Sequence, residues 1–472
     1  MRVALVNTAM DMGKLGGFSA LLEPMPVIGM AYLVAVTEQA GHRVRAYDQF
    51  ASQTPTDQLV RQIIRWNPDV LGMGVLTPSA DVASVIADSV KSALPDCKLV
   101  AGNIHADVLY QDTLERTAFD FVVHGEGEET FIELLDALGR GGVGHDLKDI
   151  AGISYRDEAG EVQRTASRPV IADLDALPYP AWHHFPVHTY GLLPLADVAK
   201  PTLVMAGSRG CPYRCEFCSL LHAGANYRKR DPEALAEEYE HLHHCYGAKQ
   251  IGFVDPIFPL DKNVLMNFCD HLMRRGMQDK VAWISETRVD RVDRESLRVM
   301  RKSGCRRLLF GIESGVDLLL ENVNKTFTTE RVRRTVALCR EEDIQTVGLF
   351  MIGLPGETEE MSRQTIDFAC SLDLDFAKFA ITIPFPGSQM FEDLRREGRL
   401  DRDDWENWTT FQPEPDLLPF VPRDVSNEKL IELQKWGTRK FYFRPRQIAR
   451  QLVAIRSMTP TQIWNGVKGV MG

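Results

Sequence analysis

Short apolar runs rich in β-branched residues alternate with amphipathic segments over the first 140 residues. The short runs predict strands, and the amphipathic segments predict helices between them. Because the runs are apolar at nearly every position, they are typical of strands buried on both faces of a parallel sheet. The pattern therefore predicts a parallel sheet covered by helices. Its predicted strands are residues 3–6, 44–47, 70–75, 98–101 and 121–123.

The same alternation returns in the second half of the chain. Between residues 141 and 200 the pattern weakens to a hairpin-like segment, ISYRDEAGEVQR, and a proline-containing stretch that predicts an ordered linker. Six further strand candidates then alternate with helical segments, which predicts a partial (β/α)6 barrel of the TIM type. The six predicted strands are residues 202–206, 250–254, 281–285, 307–311, 346–352 and 376–381.

These patterns predict an α/β protein with four segments. Residues 1–140 form a Rossmann-like, flavodoxin-like domain, and residues 141–200 form the linker with its short hairpin. Residues 201–400 form the partial barrel, and residues 401–472 form a C-terminal helical region. Ligands of both sheets are expected beyond the carboxyl ends of the strands.

Composition narrows the class of ligand. The chain has 472 residues and a formal net charge of -11, which argues against nucleic acid as a partner and favours a small-molecule substrate. The N-terminus lacks the apolar core of a secretory signal, and the sequence contains no apolar stretch of about 20 residues. We therefore expect a cytoplasmic protein.

Three of the nine cysteines are clustered in the segment SRGCPYRCEFCS, directly after a predicted strand. Three thiolates on one loop can bind a single inorganic core. Zinc is one alternative, and His222 is close enough in sequence to be its fourth ligand. A [4Fe-4S] cluster is the other, and three cysteines would leave one iron open to bind a reactant. The predicted metal ligands are Cys211, Cys215 and Cys218.

This segment resembles the signature of the radical S-adenosylmethionine superfamily in spacing and in its place after the first barrel strand. Four later segments also resemble family motifs, in the family's order: GFVDPIFPLDK, RRLLFGIESG, VGLFMIGLPGET and FAITIPFPGS. The resemblance implies that these segments bind S-adenosylmethionine. The implied residues are Asp255 for the amino group of its methionine, Gly311, Glu313 and Ser314 for the ribose or methionine part, and Ile352 and Gly353 for the adenine side.

The first domain resembles the cobalamin-binding domain found before the barrel in one branch of that superfamily. The segments AGNIHADVL and FVVHGEGEETFIELL carry the resemblance. The loop after the first strand, NTAMDMGKLGG, contains no histidine, so we expect no histidine ligand to cobalt from this protein. The alternative is a domain that has lost its cofactor and serves as a docking surface. The residues expected to line the cobalamin site are Thr77, Ser79, Gly102, Asn103, His105, Gly125, Glu126 and Gly127.

The resemblance implies reductive cleavage of S-adenosylmethionine to a 5′-deoxyadenosyl radical, with electrons from an external donor such as flavodoxin or ferredoxin. The implied outcome is cobalamin-dependent C-methylation of an unactivated carbon in a small natural product, a lipid or a tetrapyrrole. One alternative is a non-methylating cyclase, rearranging enzyme or deoxygenase of the same branch. A second is a non-catalytic iron–sulfur or zinc scaffold protein.

The end of the chain is basic and amphipathic. No acidic residue follows Glu432, whereas eight Lys and Arg residues lie there among aromatic and aliphatic ones. Such a helix can lie on an anionic membrane, and it can also cover the open edge of a barrel. The pattern favours the covering helix and leaves peripheral membrane contact as the alternative.

Overall fold

The computed structural model describes residues 1–10, 23–141, 145–191, 198–221, 226–400, 404–410 and 414–455. The N-terminal part is a seven-stranded sheet with helices packed against it. Its strands are β1 (Arg2–Asn7), β2 (Arg43–Asp48), β3 (Val70–Gly74), β4 (Lys98–Gly102), β5 (Phe121–Val123), β6 (Ile153–Arg156) and β7 (Val162–Arg164). Its helices are α1 (Ile28–Gln39), α2 (Gln49–Ser52), α3 (Thr56–Trp66), α4 (Ala80–Ala93), α5 (Asn103–Val108), α6 (Tyr110–Arg116), α7 (Gly127–Gly139) and α8 (His145–Lys148).

The strand order β2-β1-β3-β4-β5-β6-β7 matches a flavodoxin-like sheet over its first five strands, which are all parallel. The hairpin β6–β7 pairs antiparallel with β5 and adds two strands to that edge. This hairpin was predicted from the linker sequence. In the structure it belongs to the sheet, so the sheet continues past residue 140.

The second half of the chain forms a six-stranded parallel sheet in the order β15-β14-β13-β12-β11-β8, together with a two-stranded hairpin, β9–β10. This open parallel sheet confirms the predicted partial barrel. The strands of this half of the chain are β8 (Thr202–Met205), β9 (Ser208–Arg209), β10 (Arg228–Lys229), β11 (Gln250–Phe253), β12 (Ala282–Thr287), β13 (Cys305–Glu313), β14 (Gln345–Ile352) and β15 (Phe376–Ile381). The helices are α9 (Pro232–Tyr246), α10 (Lys262–Arg274), α11 (Arg294–Lys302), α12 (Asp317–Asn322), α13 (Thr329–Glu341), α14 (Glu359–Ser371), α15 (Gln389–Arg396), α16 (Asn427–Tyr442) and α17 (Pro445–Ile455).

Buried apolar side chains connect the two sheets. One hydrophobic cluster extends from β1 and α7 through the linker to the barrel strands. Trp182 and Tyr190 of the linker are fully buried, and the Tyr190 hydroxyl donates to Asp48 Oδ2 over 2.6 Å. The linker therefore holds the two sheets together, because its largest side chains fill the space between them.

The helical tail covers the edge of the barrel. Helix α16 packs against β15 and α14, and Gln434 Nε2 donates to the carbonyl of Phe379 over 2.9 Å. Basic side chains at the end of α16 and in α17 pair with acidic residues of the barrel: Lys440 with Asp367, and Arg446 with Asp373. Peripheral membrane contact stays a prediction, and residues 456–472 lie outside the described part of the chain. Within the described part, no helix is long and apolar enough to cross a membrane.

We expect the buried ion pair between Arg230 and Glu238 to be required for stability. The two side chains are 6% and 1% exposed, and Arg230 also donates to Asp175 Oδ1 over 2.8 Å. Arg230→Met would leave a carboxylate buried without its charge partner, which costs about 3–5 kcal/mol. The expected result is a lower denaturant midpoint. The double variant R230M/E238L should recover much of that loss, and a double variant no more stable than R230M would contradict the account.

Candidate active site

The three clustered cysteines lie on the loop that connects β9 to β10. Cys211, Cys215 and Cys218 are all partly buried, and the Cys218 N–H donates to the Cys215 carbonyl over 3.0 Å. Burial is the main cause of a raised pKa at Cys215 and at Cys218, where the pKa reaches about 11, and the neighbouring thiols of the triad add to both shifts. The loop therefore gathers three thiols, and the ionisation of Cys215 and Cys218 is unfavourable without a nearby positive charge.

Three thiols would leave the fourth position of a tetrahedral zinc ion to another residue. His222, the fourth ligand in the zinc alternative, lies outside the described residues.

Two cations that the sequence analysis missed lie beside the thiols. Lys325 is 7% exposed and pairs with Glu313 over 2.8 Å. Its positive charge opposes the rise in the pKa of Cys215. Arg288 is 4% exposed, acts on Cys215 in the same direction, and is fixed by Asp290 over 2.9 Å. The two cations come from different parts of the barrel and partly offset the charge of the thiolates.

Aromatic residues between the cysteines pack on the same cations. The guanidinium carbon of Arg288 lies 3.7 Å from the ring centroid of Tyr213, and Lys325 Nζ lies 5.4 Å from that of Phe217. These contacts place low-polarity rings against the loop, where they limit access of water. Arg214, the cation nearest to the triad in sequence, is exposed.

Asp255 lies at the base of the cysteine loop. Its side chain is 4% exposed, and it accepts hydrogen bonds from the Gly207 N–H over 2.9 Å and the Ser208 hydroxyl over 2.5 Å. Burial raises the pKa of Asp255 to about 7, although those hydrogen bonds oppose the shift. The carboxyl group therefore ties β11 to the residues that lead into the cysteine loop.

The residues predicted for the ribose or methionine part of S-adenosylmethionine lie at a bulge in β13 and point in different directions. Glu313, at φ +66°, turns towards Lys325, and a Cβ at Gly311 would come within 2.8 Å of the Glu313 carboxylate. Glycine at 311 therefore leaves room for the ion pair. Ser314 is directed elsewhere, since its hydroxyl lies 3.0 Å from that of Thr365 in α14. Glu313 is thus near the thiols, whereas Ser314 joins the strand to a helix.

The two residues predicted for the adenine side, Ile352 and Gly353, already have partners within the protein. The Gly353 N–H donates to Glu357 Oε2 over 2.7 Å, and the Ile352 carbonyl accepts from the Thr382 N–H over 2.9 Å. Gly353 has φ +91°, and a Cβ there would lie 2.9 Å from Leu430 of α16. Its main role in the structure is therefore the turn and the close approach of α16.

A second pair of opposite charges lies on the inner face of the barrel. Glu286 of β12 keeps solvent-accessible surface, although protein atoms surround it closely. Burial first, and then the charge of Glu313, raise its pKa to about 7. Burial lowers the pKa of Lys378 on β15, and the charge of Glu286 opposes that change. The sequence analysis did not identify this pair, because both residues lie within strands and outside the recognised motifs.

Several buried polar atoms in the cysteine loop and at the carboxyl ends of barrel strands have no hydrogen-bond partner among the described residues. They are Tyr213 Oη, Thr287 Oγ1, Arg288 Nη1 and Thr382 Oγ1. Buried polar groups are normally satisfied, so such atoms at the carboxyl edge of a barrel indicate a polar ligand. The donor set, three thiols with nearby cations and unsatisfied hydroxyl groups, fits an iron–sulfur cluster with an amino-acid-bearing co-substrate.

The residues predicted to bind cobalamin lie at the carboxyl edge of the N-terminal sheet. After β3, Thr77 and Ser79 are buried, and Thr8 Oγ1 donates to Ser79 Oγ over 3.0 Å. His105, after β4, is 5% exposed, and its Nδ1 lies 3.2 Å from Thr77 Oγ1. Burial lowers the pKa of His105 to about 4, so its ring is neutral at physiological pH. The structure brings these residues together.

The loops after β4 and β5 are open to a close approach. Asn103 adopts φ +72°, and Gly125 adopts φ +66° with no atom within 4 Å of a Cβ built there. Neither Gly102 nor Gly127 has a neighbour within 3.4 Å of such a Cβ. A flat ligand can therefore approach the backbone at this edge. On the β1–β2 side of the same edge, a cavity of about 450 Å³ is lined by apolar and polar side chains, among them Phe50, Val82, Gln49 and Asp81.

Glu126 has a different environment from the other predicted cobalamin residues. Its carboxylate accepts two hydrogen bonds from Arg228, over 2.8 and 2.9 Å, and a third from the Ile171 N–H. Arg209 lies 3.3 Å from Glu126 and donates to Glu128 over 2.5 Å. Because Arg209 and Arg228 belong to the hairpin that carries the cysteine loop, these ion pairs join that loop to the N-terminal sheet.

Comparison with known proteins agrees with this arrangement. Residues 205–369 match the Radical SAM superfamily, and residues 19–135 match the B12 binding domain. An uncharacterized methyltransferase of Pyrococcus horikoshii is 32% identical over 90% of each chain. An anaerobic magnesium-protoporphyrin IX monomethyl ester cyclase of Cereibacter sphaeroides is 29% identical, over 89% of this chain and 67% of the relative.

The fold is also shared with a solved structure. The radical S-adenosylmethionine methyltransferase TsrM from Kitasatospora setae, solved with cobalamin and a [4Fe-4S] cluster bound, superposes with a TM-score of 0.67 at 20% identity, covering 85% of this chain and 76% of that one. The predicted fold class and the predicted family are confirmed. The chain belongs to the radical S-adenosylmethionine superfamily, in the branch that carries a B12-binding domain ahead of the radical domain.

Proposed function

We propose that this protein is a cobalamin-dependent radical S-adenosylmethionine enzyme that methylates an unactivated carbon of a small molecule. One observation carries the proposal. The hairpin that bears the three thiols is bound through Arg209 and Arg228 to the carboxyl edge of the B12-type domain. Two ligand-binding edges that belong to different domains are thereby held side by side, and ligands commonly bind at such domain interfaces.

The residues of the barrel have separate roles in this proposal. Cys211, Cys215 and Cys218 would hold the cluster, while Lys325 and Arg288 would offset its negative charge. Glu313 orients Lys325, and Asp255 fixes the start of the cysteine loop and would accept the ammonium group of the methionine part of S-adenosylmethionine. When bound, the cluster and S-adenosylmethionine supply a hydrogen-abstracting carbon radical, and cobalamin supplies a methyl group.

The N-terminal residues would bind the corrin. Gly102, Asn103, Gly125 and Gly127 permit a flat ligand to approach the backbone, and Thr77 and Ser79 provide hydroxyl groups at the same edge. The cavity of about 450 Å³ on the β1–β2 side of this edge has the size of a small-ligand pocket. Glu126 would contribute indirectly, by holding the cysteine loop against this edge.

The proposed substrates are small natural products, lipids or tetrapyrroles, and the reaction takes place in the cytoplasm. An external one-electron donor such as flavodoxin or ferredoxin would reduce the cluster. The relative named as a methyltransferase supports methylation, because it is similar over nearly the whole chain.

A non-methylating reaction is the second candidate, and the charged pair inside the barrel favours it. A carboxyl group with a pKa of about 7, such as that of Glu286, can exchange a proton near neutral pH. Methyl transfer from cobalamin to a substrate carbon radical needs no such group, whereas a reaction that closes a ring or removes water has a proton to move. The relative named as a cyclase is consistent with this candidate.

We expect Cys215→Ala to abolish cluster binding, since two thiols cannot hold a cubane in a reducing medium. After anaerobic reconstitution, its iron and sulfide content and its cubane absorbance should fall to background. Cys245→Ser is the matched control, because Cys245 is an exposed cysteine outside the triad. A full complement of iron in the Cys215 variant would refute the ligand assignment.

We expect Asp255 to make stability depend on pH with a known sign. Its pKa of about 7 exceeds the ordinary value of about 3.9, so the free energy of unfolding should fall by up to ~4 kcal/mol as pH rises from about 4 to 7. Asp255→Asn removes this titration, so the free energy of unfolding of the variant should rise relative to that of the wild type as pH increases from about 4 to 7. Chemical denaturation at several pH values measures the trend.

Asp261→Asn is the control of opposite sign. Asp261 caps α10, and its hydrogen bond from Lys229 holds its pKa below the ordinary value. The stability that the Asp261 carboxylate contributes is present at neutral pH and lost on acidification. The variant should therefore become less stable relative to the wild type as pH rises. Parallel trends in the two variants would contradict the assigned environment of Asp255.

The methylation proposal is tested by the products of the reconstituted enzyme. We expect S-adenosylhomocysteine and 5′-deoxyadenosine to form together when hydroxocobalamin, a reductant and a tetrapyrrole, lipid or natural-product panel are supplied. Formation of 5′-deoxyadenosine alone would exclude methylation and support the cyclase-type reaction. Absence of both products, with the cluster intact, would contradict an enzymatic role.

A further inference from the structure

Two neighbouring histidines of the linker share one carboxylate of the N-terminal domain. His183 and His184 lie in the 3₁₀ turn Trp182–His184, and Glu38 lies near the end of α1. His183 Nε2 is 3.2 Å from Glu38 Oε2, and His184 Nε2 is 2.8 Å from Glu38 Oε1. Each imidazole therefore faces a different oxygen of the same carboxylate.

The three side chains have the spacing of ligands to one metal ion. One nitrogen of each histidine and one oxygen of Glu38 all lie within 4.8 Å of one another. Ligand atoms about 2.1 Å from a tetrahedral zinc ion lie about 3.4 Å apart, and the two nitrogen–oxygen distances are close to that value. Two imidazoles and a carboxylate are a donor set that zinc accepts. Water would complete the shell, since no cysteine, histidine or carboxylate elsewhere in the described ranges joins the group.

The turn that carries the histidines is anchored at both ends. The Ala181 N–H donates to the Ala31 carbonyl of α1 over 3.0 Å. Trp182 and Phe185, which flank the two histidines, are buried, and their ring centroids are 5.8 Å apart. The backbone of the histidines is therefore fixed before an ion binds, and a preorganised site loses little conformational entropy on binding.

The site lies where three parts of the chain meet, away from the ligand-binding edges. Glu38 belongs to the N-terminal domain, and the backbone of His183 in the linker hydrogen-bonds with Tyr246 at the end of α9. His42, just after α1, lies 3.2 Å from the amino group of Met1, so α1 ends at the amino edge of the sheet. Ligands of such sheets bind at the opposite edge. An ion beside Glu38 would therefore act on the junction and not on the reaction.

We propose that Glu38, His183 and His184 bind a zinc ion that links the linker to the N-terminal domain. This site is separate from the cysteine triad and independent of the proposed reaction. Partly exposed contacts between histidine and carboxylate add little stability by themselves, whereas an ion that binds only the folded protein stabilises it. Because buried side chains of the linker lie between the two sheets, zinc here would stabilise their arrangement.

Zinc uptake by the cluster-loaded protein tests the site. Protein without a histidine tag is incubated anaerobically with zinc chloride, desalted, and analysed for zinc and iron. We expect one zinc per chain in addition to the cluster iron, and only background zinc in H183A/H184A. Glu38→Gln should weaken zinc binding by at least about tenfold, as measured by competition with a chelating dye.

The matched control is H243A/H244A, which removes another pair of adjacent histidines. His243 Nδ1 lies 2.9 Å from the Ala248 carbonyl oxygen, whereas His244 lies 3.5 Å from Glu240. These two rings do not share a carboxylate, so the variant should retain its zinc. Loss of zinc from this control to the same extent as from H183A/H184A would contradict the assigned ligands.

Stability gives a second readout. Zinc at 100 times its Kd should shift the unfolding equilibrium of the wild type about 100-fold and leave H183A/H184A unchanged, as measured by denaturant midpoints. Background zinc in the wild type, equal zinc in H183A/H184A, or bound zinc without a change in stability would overturn the proposal. Zinc taken up only as cluster iron is lost would also overturn it, because the ion would then occupy the triad.

The comparison also separates this site from the proposed function. The wild type and H183A/H184A have the same cysteine triad, so the expected difference of one zinc per chain does not depend on the cluster. A protein that acquires no cluster but shows this difference would contradict the proposed function and support the zinc site.

Discussion

The cost of ionising the partly buried Cys215 and Cys218 beside Cys211 is the constraint that shapes the active site. Burial is the largest cause of the raised pKa of both thiols, and the charges of the neighbouring cysteines add to it. Their ionisation becomes favourable when positive charge is nearby, and a bound metal core is the strongest source of it. The protein supplies a smaller share through Lys325 and Arg288, each fixed by a carboxylate partner.

The same charges connect the site to the rest of the fold. Asp255 anchors the start of the cysteine loop to β11, and the bulge in β13 turns Glu313 towards Lys325. On the other side, Arg209 and Arg228 join the loop to the N-terminal domain through Glu126 and Glu128. Movement of one domain would thus be transmitted to the cluster loop, so the distance between the two ligand-binding edges is a property of the whole chain.

The sequence predicted the two parallel sheets well. Each predicted strand is present, with ends displaced by at most two residues, because buried parallel strands have continuous apolar runs. The β6–β7 hairpin was found, but its pairing with β5 was not, since pairing between distant segments leaves no periodic signal in either. The covering role of α16 was the favoured prediction, and cations of α16 and α17 pair with acidic residues of the barrel.

The site was predicted less completely than the fold. Motifs located the cysteines, Asp255 and Glu313, but Lys325, Arg288, Glu286 and Lys378 are brought to the site by packing of separate strands and loops. No motif distinguishes these four charged residues from others in the sequence, and only their surroundings in the folded protein indicate a role at the site. Glu126 and Gly353 are the opposite case. Their motif positions predict contacts with a cofactor, but in the structure they form hydrogen bonds with other residues of the protein. A motif fixes where a loop lies, and the surrounding structure decides what each side chain contacts.

Mössbauer spectroscopy of the reconstituted protein, with and without S-adenosylmethionine, tests the central claim most directly. The claim is that three thiolates hold a cubane with one iron open to the co-substrate. The account predicts that the parameters of one iron change when S-adenosylmethionine is added, while those of the other irons stay the same. Irons that are all unaffected by the addition, or a protein that binds a single zinc ion in place of a cluster, would contradict it.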